Sequence, residues 1–130
     1  MKVKRLVSAI AGVLCTGLVI ASVAWALTET KVTIKAPTSA KPTLHGTIFS
    51  KKMICWNHRT IRVHKQQGSS QHPSSDPVVA TTTSFRADSH DFGAWKLSAA
   101  QEPHPGFYYA QAVKTTACRM GLSRTIHLVP

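Results

Sequence analysis

The sequence predicts an all-β protein, a single antiparallel β-sandwich of about six to seven strands. Three observations predict it. Short segments alternate polar and apolar residues with a period of two and are rich in β-branched side chains. Clusters of Pro, Gly, Ser and Asp separate them. After residue 27 no stretch has the 3.6-residue apolar period of an amphipathic helix. Many short strands with turns between them form two antiparallel layers around one core.

The chain opens differently, with "MKVKRLVSAIAGVLCTGLVIASVAWALTET". Lys2, Lys4 and Arg5 form a positive flank, and the 22 residues from Leu6 to Leu27 carry no charge. Ala24, Trp25 and Ala26 give the small-x-small pattern of a signal-peptidase site, which predicts a signal peptide over 1–26. The alternative is an uncleaved anchor helix, since the run is long enough to span a bilayer and its flank is positive. Cys15 follows "GVL" and lacks the small-residue run of a lipoprotein cysteine. Both fates place the remainder outside the cytoplasm, secreted or held at the membrane.

Removing the leader leaves 104 residues, one small domain. We divide it into a first strand and Pro-containing connector, 27–43, and a main body, 44–130. The leader takes three of the 16 basic residues, so 13 stand against 5 acidic ones, a net charge near +8. Such a surplus favours anionic partners. The charge is scattered, and its longest run is the pair Lys51–Lys52. A nucleic-acid interface would cluster Lys and Arg with aromatic residues, so no specific nucleic-acid binding is expected. Cys55 and Cys118 are the cysteines left after export, and an even count in an exported chain predicts a disulfide. The loop it would close, 63 positions long, makes it worth roughly 4 kcal/mol in a chain-entropy model. That is comparable to the whole stability of a domain this small.

The strands follow in order. "KVTIK" (31–35) puts Val32 and Ile34 on one face, and Pro37 and Pro42 then forbid a helix. "LHGTIFS" (44–50) carries Leu44, Gly46 and Ile48 at period two. "RTIRVHK" (59–65) turns Ile61 and Val63 inward and Thr60, Arg62 and His64 outward. A polar loop over 66–77 holds Gly68, Pro73 and Pro77, with nothing to bury. "VVATTTSFR" (78–86) is extended, and "ADSHDFGAW" makes a turn suited to Asp88, Asp91 and Gly93. "AWKLS" places Trp95 and Leu97 on one face. "FYYAQAVK" (107–114) is a strand, and "RTIHLV" (124–129) closes the chain with Ile126 and Leu128 inward.

In this order, "VTIK", "LHGTIFS", "C..HRTIRVHK", "DSHDFGAWKL", "PGFYYAQAV" and "CRMGLSRTIHLV" resemble small secreted bacterial β-sandwich domains of the carboxypeptidase-regulatory-like or transthyretin-like (prealbumin-like) kind, with an Ig-like arrangement of strands. The resemblance runs from about Thr30 to Val129. It implies a Cys55–Cys118 disulfide, structural glycines at Gly46 and Gly93, and packing positions at Trp95, Tyr108, Tyr109 and Ala110. It carries no catalytic residue. The chain departs from the pattern at Asn57–His58 and in the length of the 66–77 loop.

Few residues suggest chemistry. The histidines His45, His58, His64, His72, His90, His104 and His127 show no H-x₃-H or HExxH spacing and read as surface residues. His58 and His64 would lie about 20 Å apart along a strand. His45, His64 and His127 would meet only if their three strands were neighbours. Asp88 and Asp91 are too few oxygens for a calcium loop. The carboxylates Glu29, Asp76, Asp88, Asp91 and Glu102 fall in turns or tails, and no G-x-S-x-G elbow occurs. Among Phe107, Tyr108 and Tyr109 at least one ring must be core. Tyr109 beside Gln111 is either an exposed binding patch or cross-strand packing. The expectation is a non-catalytic binding or structural module, with no cofactor and no metal. Its partner would be an anionic envelope component or another protein. A membrane-held basic domain and a small metal-dependent or hydrolytic enzyme are the alternatives. In "SKKMICWNHRTIRVHK", Trp56 and Asn57 read as a turn, and His58 is left without a structural reason.

Overall fold

The structure is a computed structural model that describes residues 26–130. The leader expected over 1–26 therefore lies, but for Ala26, outside the described residues. Among these, no helix is long and apolar enough to cross a membrane.

Two antiparallel sheets make up the fold. The first contains β1 (Lys31–Val32), β2 (His45–Phe49), β5 (Phe85–Arg86) and β6 (Gly93–Lys96), in the order β1-β2-β6-β5. The second contains β3 (Thr60–Lys65), β4 (Val78–Thr83), β7 (Gly106–Ala112), β8 (Gly121–Leu122) and β9 (Ile126–Leu128). Its order is β4-β3-β7-β8, and β9 also pairs with β7. Alternation sends Ile48 and Trp95 from the first sheet, with Leu44 and Leu97 that flank its strands, into the same buried cluster as Ile61, Val63, Tyr108 and Ala110 from the second.

Glycine is needed where these elements approach most closely. A Cβ on Gly46 would fall on the carbonyl of Thr33 and 2.6 Å from Trp95 Nε1, and that indole nitrogen donates to the same carbonyl at 3.1 Å. A Cβ on Gly93 would strike the carbonyl of Trp56.

Several elements differ from the sequence reading. The first strand shortens to two residues because the Thr33 hydroxyl, not a backbone carbonyl, accepts from the Thr47 amide at 2.9 Å. An isolated bridge between Lys35 and His45 resumes the pairing. Residues 78–86 are not one strand. They divide at Ser84 into β4 and β5, which belong to different sheets. The buried Ser84 hydroxyl donates to Trp56 O (2.7 Å) and accepts from the Arg59 amide (2.8 Å), while its carbonyl accepts from the His58 amide (3.1 Å). The two-residue β8 carries no alternation that sequence could reveal.

Trp56 and Asn57 are expected as a turn; Trp56 instead ends a single helical turn, α1 (Met53–Trp56). It is too short to express a helical period. Its inner side presents Cys55 and Trp56, and Cys55 is bonded to Cys118 with a Cα–Cα distance of 5.5 Å. His58 then reverses the chain into β3 with a left-handed backbone, φ 52°.

Candidate functional site

Two buried polar clusters first have to be separated from any site. Arg59 stands at the head of β3, only 2% exposed. Its Nε donates to Val113 O (2.8 Å), Nη1 to Cys55 O (2.9 Å) and Thr30 Oγ1 (3.1 Å), and Nη2 to Arg119 O (2.7 Å). Burial lowers its pKa from the ordinary arginine value. Every donor points at the fold itself, so this cation is a structural tie and not a ligand-binding one.

The second cluster corrects the reading of His64 and decides between the two readings of Tyr109. His64, read as a surface residue, faces outward from its sheet yet is 1% exposed, because the 66–77 loop folds over it. A register shift between Val63 and His64 marks the place. His64 Nδ1 donates to Asp76 O at 3.0 Å, its Nε2 lies 2.6 Å from the Gln111 side-chain amide, and its ring stacks on Tyr109. Tyr109 is fully buried, so the exposed-patch alternative fails; Phe107 is the exposed ring of the trio. Asp76 is also buried, although it lies in a turn. Its Oδ2 accepts from the Tyr109 hydroxyl (2.6 Å) and the His72 amide (2.8 Å), and its Oδ1 accepts from the Gln67 amide (3.3 Å). The tyrosine hydroxyl above all, then the backbone amides, hold the Asp76 carboxyl below the usual range. Burial first, and Asp76 second, push the Tyr109 phenol up. The histidine meets the backbone of Asp76, not its carboxylate, so no catalytic relay forms. Among the described residues every buried side-chain nitrogen and oxygen has a partner, leaving none to be satisfied by a ligand.

The accessible chemistry lies on the outer face of the first sheet. There β2, β6 and β5 present His45, Thr47, Ala94, Lys96 and Phe85 side by side, through the pairs His45–Lys96, Thr47–Ala94 and Phe85–Ala94. Lys35 joins them by its backbone bridge to His45. Two turns raise walls along this floor. The turn at 38–43 is closed by Thr38 N donating to Lys41 O (2.7 Å) and accepts His45 Nδ1–H at Thr43 O (2.9 Å). That second bond, with the wall above it, buries His45, which was expected on the surface.

The opposite wall is the 87–92 turn. Arg86 ties it by an ion pair to Asp91 (3.0 Å) and a hydrogen bond to His90 O (3.2 Å). Asp88 takes the left-handed region there, φ 48°. Phe92 stacks on His90 at 5.3 Å and lies 4.8 Å from Phe49. The resulting groove has a volume of about 680 Å³. Lys35, Lys41 and Lys96 line it, and Asp88 is the one carboxylate among the described residues that does so. Its floor and walls supply three cations and aromatic surface in Phe85 and Phe92. Ser98, at its margin, is bonded to Gln101 and not to a base.

A second cleft, of about 700 Å³, lies at the disulfide end and is lined by Met53, Ile54, His58, Val113 and Lys114 among others. His58 thus has both a backbone role and an exposed ring. The histidines do not gather: His64 and His127 lie in the second sheet and His45 in the first, so the three outward positions do not meet. Among the described residues no group of three His, Cys, Asp or Glu side chains is placed to hold a metal ion. The glycines and Trp95, Tyr108, Tyr109 and Ala110 all lie inside the packing. Sequence reasoning missed the groove because Lys96 lies far along the chain from Lys35 and Lys41. The pairing of β2 with β6 is what unites them.

The chain matches no protein-family model, no curated protein and no solved structure.

Proposed function

We propose that this chain is an extracytoplasmic, non-catalytic β-sandwich of the Ig-like or prealbumin-like type that binds an anionic ligand, a component of the cell envelope, in the groove of its first sheet. The groove carries the reading: Lys35, Lys41 and Lys96 converge there against Asp88 alone, beside exposed aromatic surface. Three like charges held on one concave surface draw in a polyanion and repel cations. The common core of the two sheets supports the sandwich. The Cys55–Cys118 bond and the apolar leader support export. The resemblance to carboxypeptidase-regulatory-like and transthyretin-like domains rests on the motif order and on this disulfide. A binding role fits a groove that offers cations but pairs no nucleophile with a base.

Inorganic polyphosphate is a suitable probe. Titration calorimetry of the exported protein should give binding that weakens steeply with added salt. Changing Lys35, Lys41 and Lys96 to Gln should weaken it roughly tenfold, since exposed charges contribute well under 1 kcal/mol apiece. Undiminished binding by a folded triple variant would remove the groove from the account.

A further inference from the structure

The disulfide end has a different character from the groove, and the two share no lining residue. Three segments build it. Thr28 bridges Cys118, donating its amide to Ala117 O (3.0 Å) and accepting from the Arg119 amide (2.8 Å). Ser50 donates to Glu29 O at 2.9 Å. The chain before Thr28 therefore departs from this end, and its sequence is the uncharged run that extends back to Leu6. Beside it, α1 turns Cys55 and Trp56 inward and leaves Met53 56% and Ile54 66% exposed. These two adjacent apolar side chains are exposed at the end where the apolar run leaves the domain. Their neighbours are cationic. Lys51, Lys52, Lys114 and Arg119 are all exposed, and Glu29 is the one carboxylate in these segments.

We propose that this end docks on an anionic phospholipid bilayer, with Met53 and Ile54 entering the interface and the four cations on the headgroups. An apolar tip with a basic rim is the composition that the interface selects. The buried apolar area and the attraction to anionic headgroups act at the same surface and add to one another. A retained leader would bring this end, and no other, to the membrane. A cleaved one would leave the new α-amino group here, adding to the positive rim. The inference rests on the extracytoplasmic reading but not on the groove.

Amide hydrogen exchange of the full chain tests it, with vesicles of phosphatidylcholine alone and of phosphatidylcholine mixed with phosphatidylglycerol. If the leader anchors the chain, it does so in both, and the comparison isolates the tip. The amides of 51–58 and 114–119 should gain protection on the anionic vesicles and lose it in high salt. Lys51→Gln with Lys52→Gln should weaken that protection by about fivefold per lysine, and Met53→Ser with Ile54→Ser should abolish it. Unchanged exchange at the tip, or equal protection on both vesicle types, would overturn the proposal. So would protection confined to the surface around Lys35, Lys41 and Lys96, which would leave the groove reading standing. Tip protection in a protein that does not bind polyphosphate would sink the groove alone. Should a variant fail to fold, the parent chain on the two vesicle types decides.

Discussion

Replacing Arg59 by methionine tests the reasoning about what holds the fold together. The side chain would still fill its space, but the four hydrogen bonds to Val113, Cys55, Thr30 and Arg119 would vanish. Removing a buried charge usually relieves its desolvation, and well-packed apolar replacements of buried ion pairs are often neutral. Here the partners are three backbone carbonyls and a hydroxyl, buried at Cys55 and Thr30 and part-buried at Val113 and Arg119, which cannot be removed with the arginine and would lose its donors. Each such loss costs about 1–3 kcal/mol. With the regained desolvation set against four of them, the net cost is about 3–4 kcal/mol. For a domain of this size that is a large share of the whole, and it lowers the melting temperature by roughly 15–25 °C. Arg59→Lys should recover under half of the loss, because one ammonium cannot span acceptors on four separate segments. Thermal unfolding under non-reducing conditions, followed by tryptophan fluorescence, gives the numbers. A methionine variant within about 1 kcal/mol of the parent would refute the argument, since it would mean that the carbonyls find other partners.

The remaining predictions concern pH and backbone contact. Asp76 has a folded pKa below its unfolded value, so its contribution to stability is present above pH ~4 and is lost as pH falls through the folded value. Tyr109 has a folded pKa above its unfolded value, so its contribution is present below pH ~10 and is lost as pH rises beyond that. Asn at position 76 and Phe at 109 should flatten the acid and alkaline limbs of a stability–pH profile respectively; an unchanged limb would mean that another group governs it. Gly46→Ala should cost about 2–3 kcal/mol, because its Cβ must displace the Thr33 carbonyl or the Trp95 indole. Urea denaturation measures that cost, and a neutral result would mean β1 moves freely.

Alternation made much of this fold legible. Ile61 and Val63, or Trp95 and Leu97, declare their inner face because a strand has only two faces and the residues between them are polar. The cysteine pairing followed from the expected export and from parity. What stayed hidden depends on partners distant in sequence. His64 sits at an outward position of its strand, and only the loop laid over it makes it a buried residue. Asp76 looks like any turn aspartate until Tyr109, 33 residues later, donates to it. Arg59 begins the expected strand like a solvated cation, although the three carbonyls and the hydroxyl that bind it come from elsewhere in the chain. The groove lysines were likewise legible as charge but not as a cluster.

Ser84 bears on how the molecule comes apart. A single run of chain serves as an edge of one sheet up to Thr83 and an edge of the other from Phe85. The serine between them is bonded to Trp56, His58 and Arg59, the residues that lead into β3. The two sheets therefore share a seam with no linker in it. Parting the sheets along this edge would mean breaking the bonds of Ser84 to Trp56, His58 and Arg59.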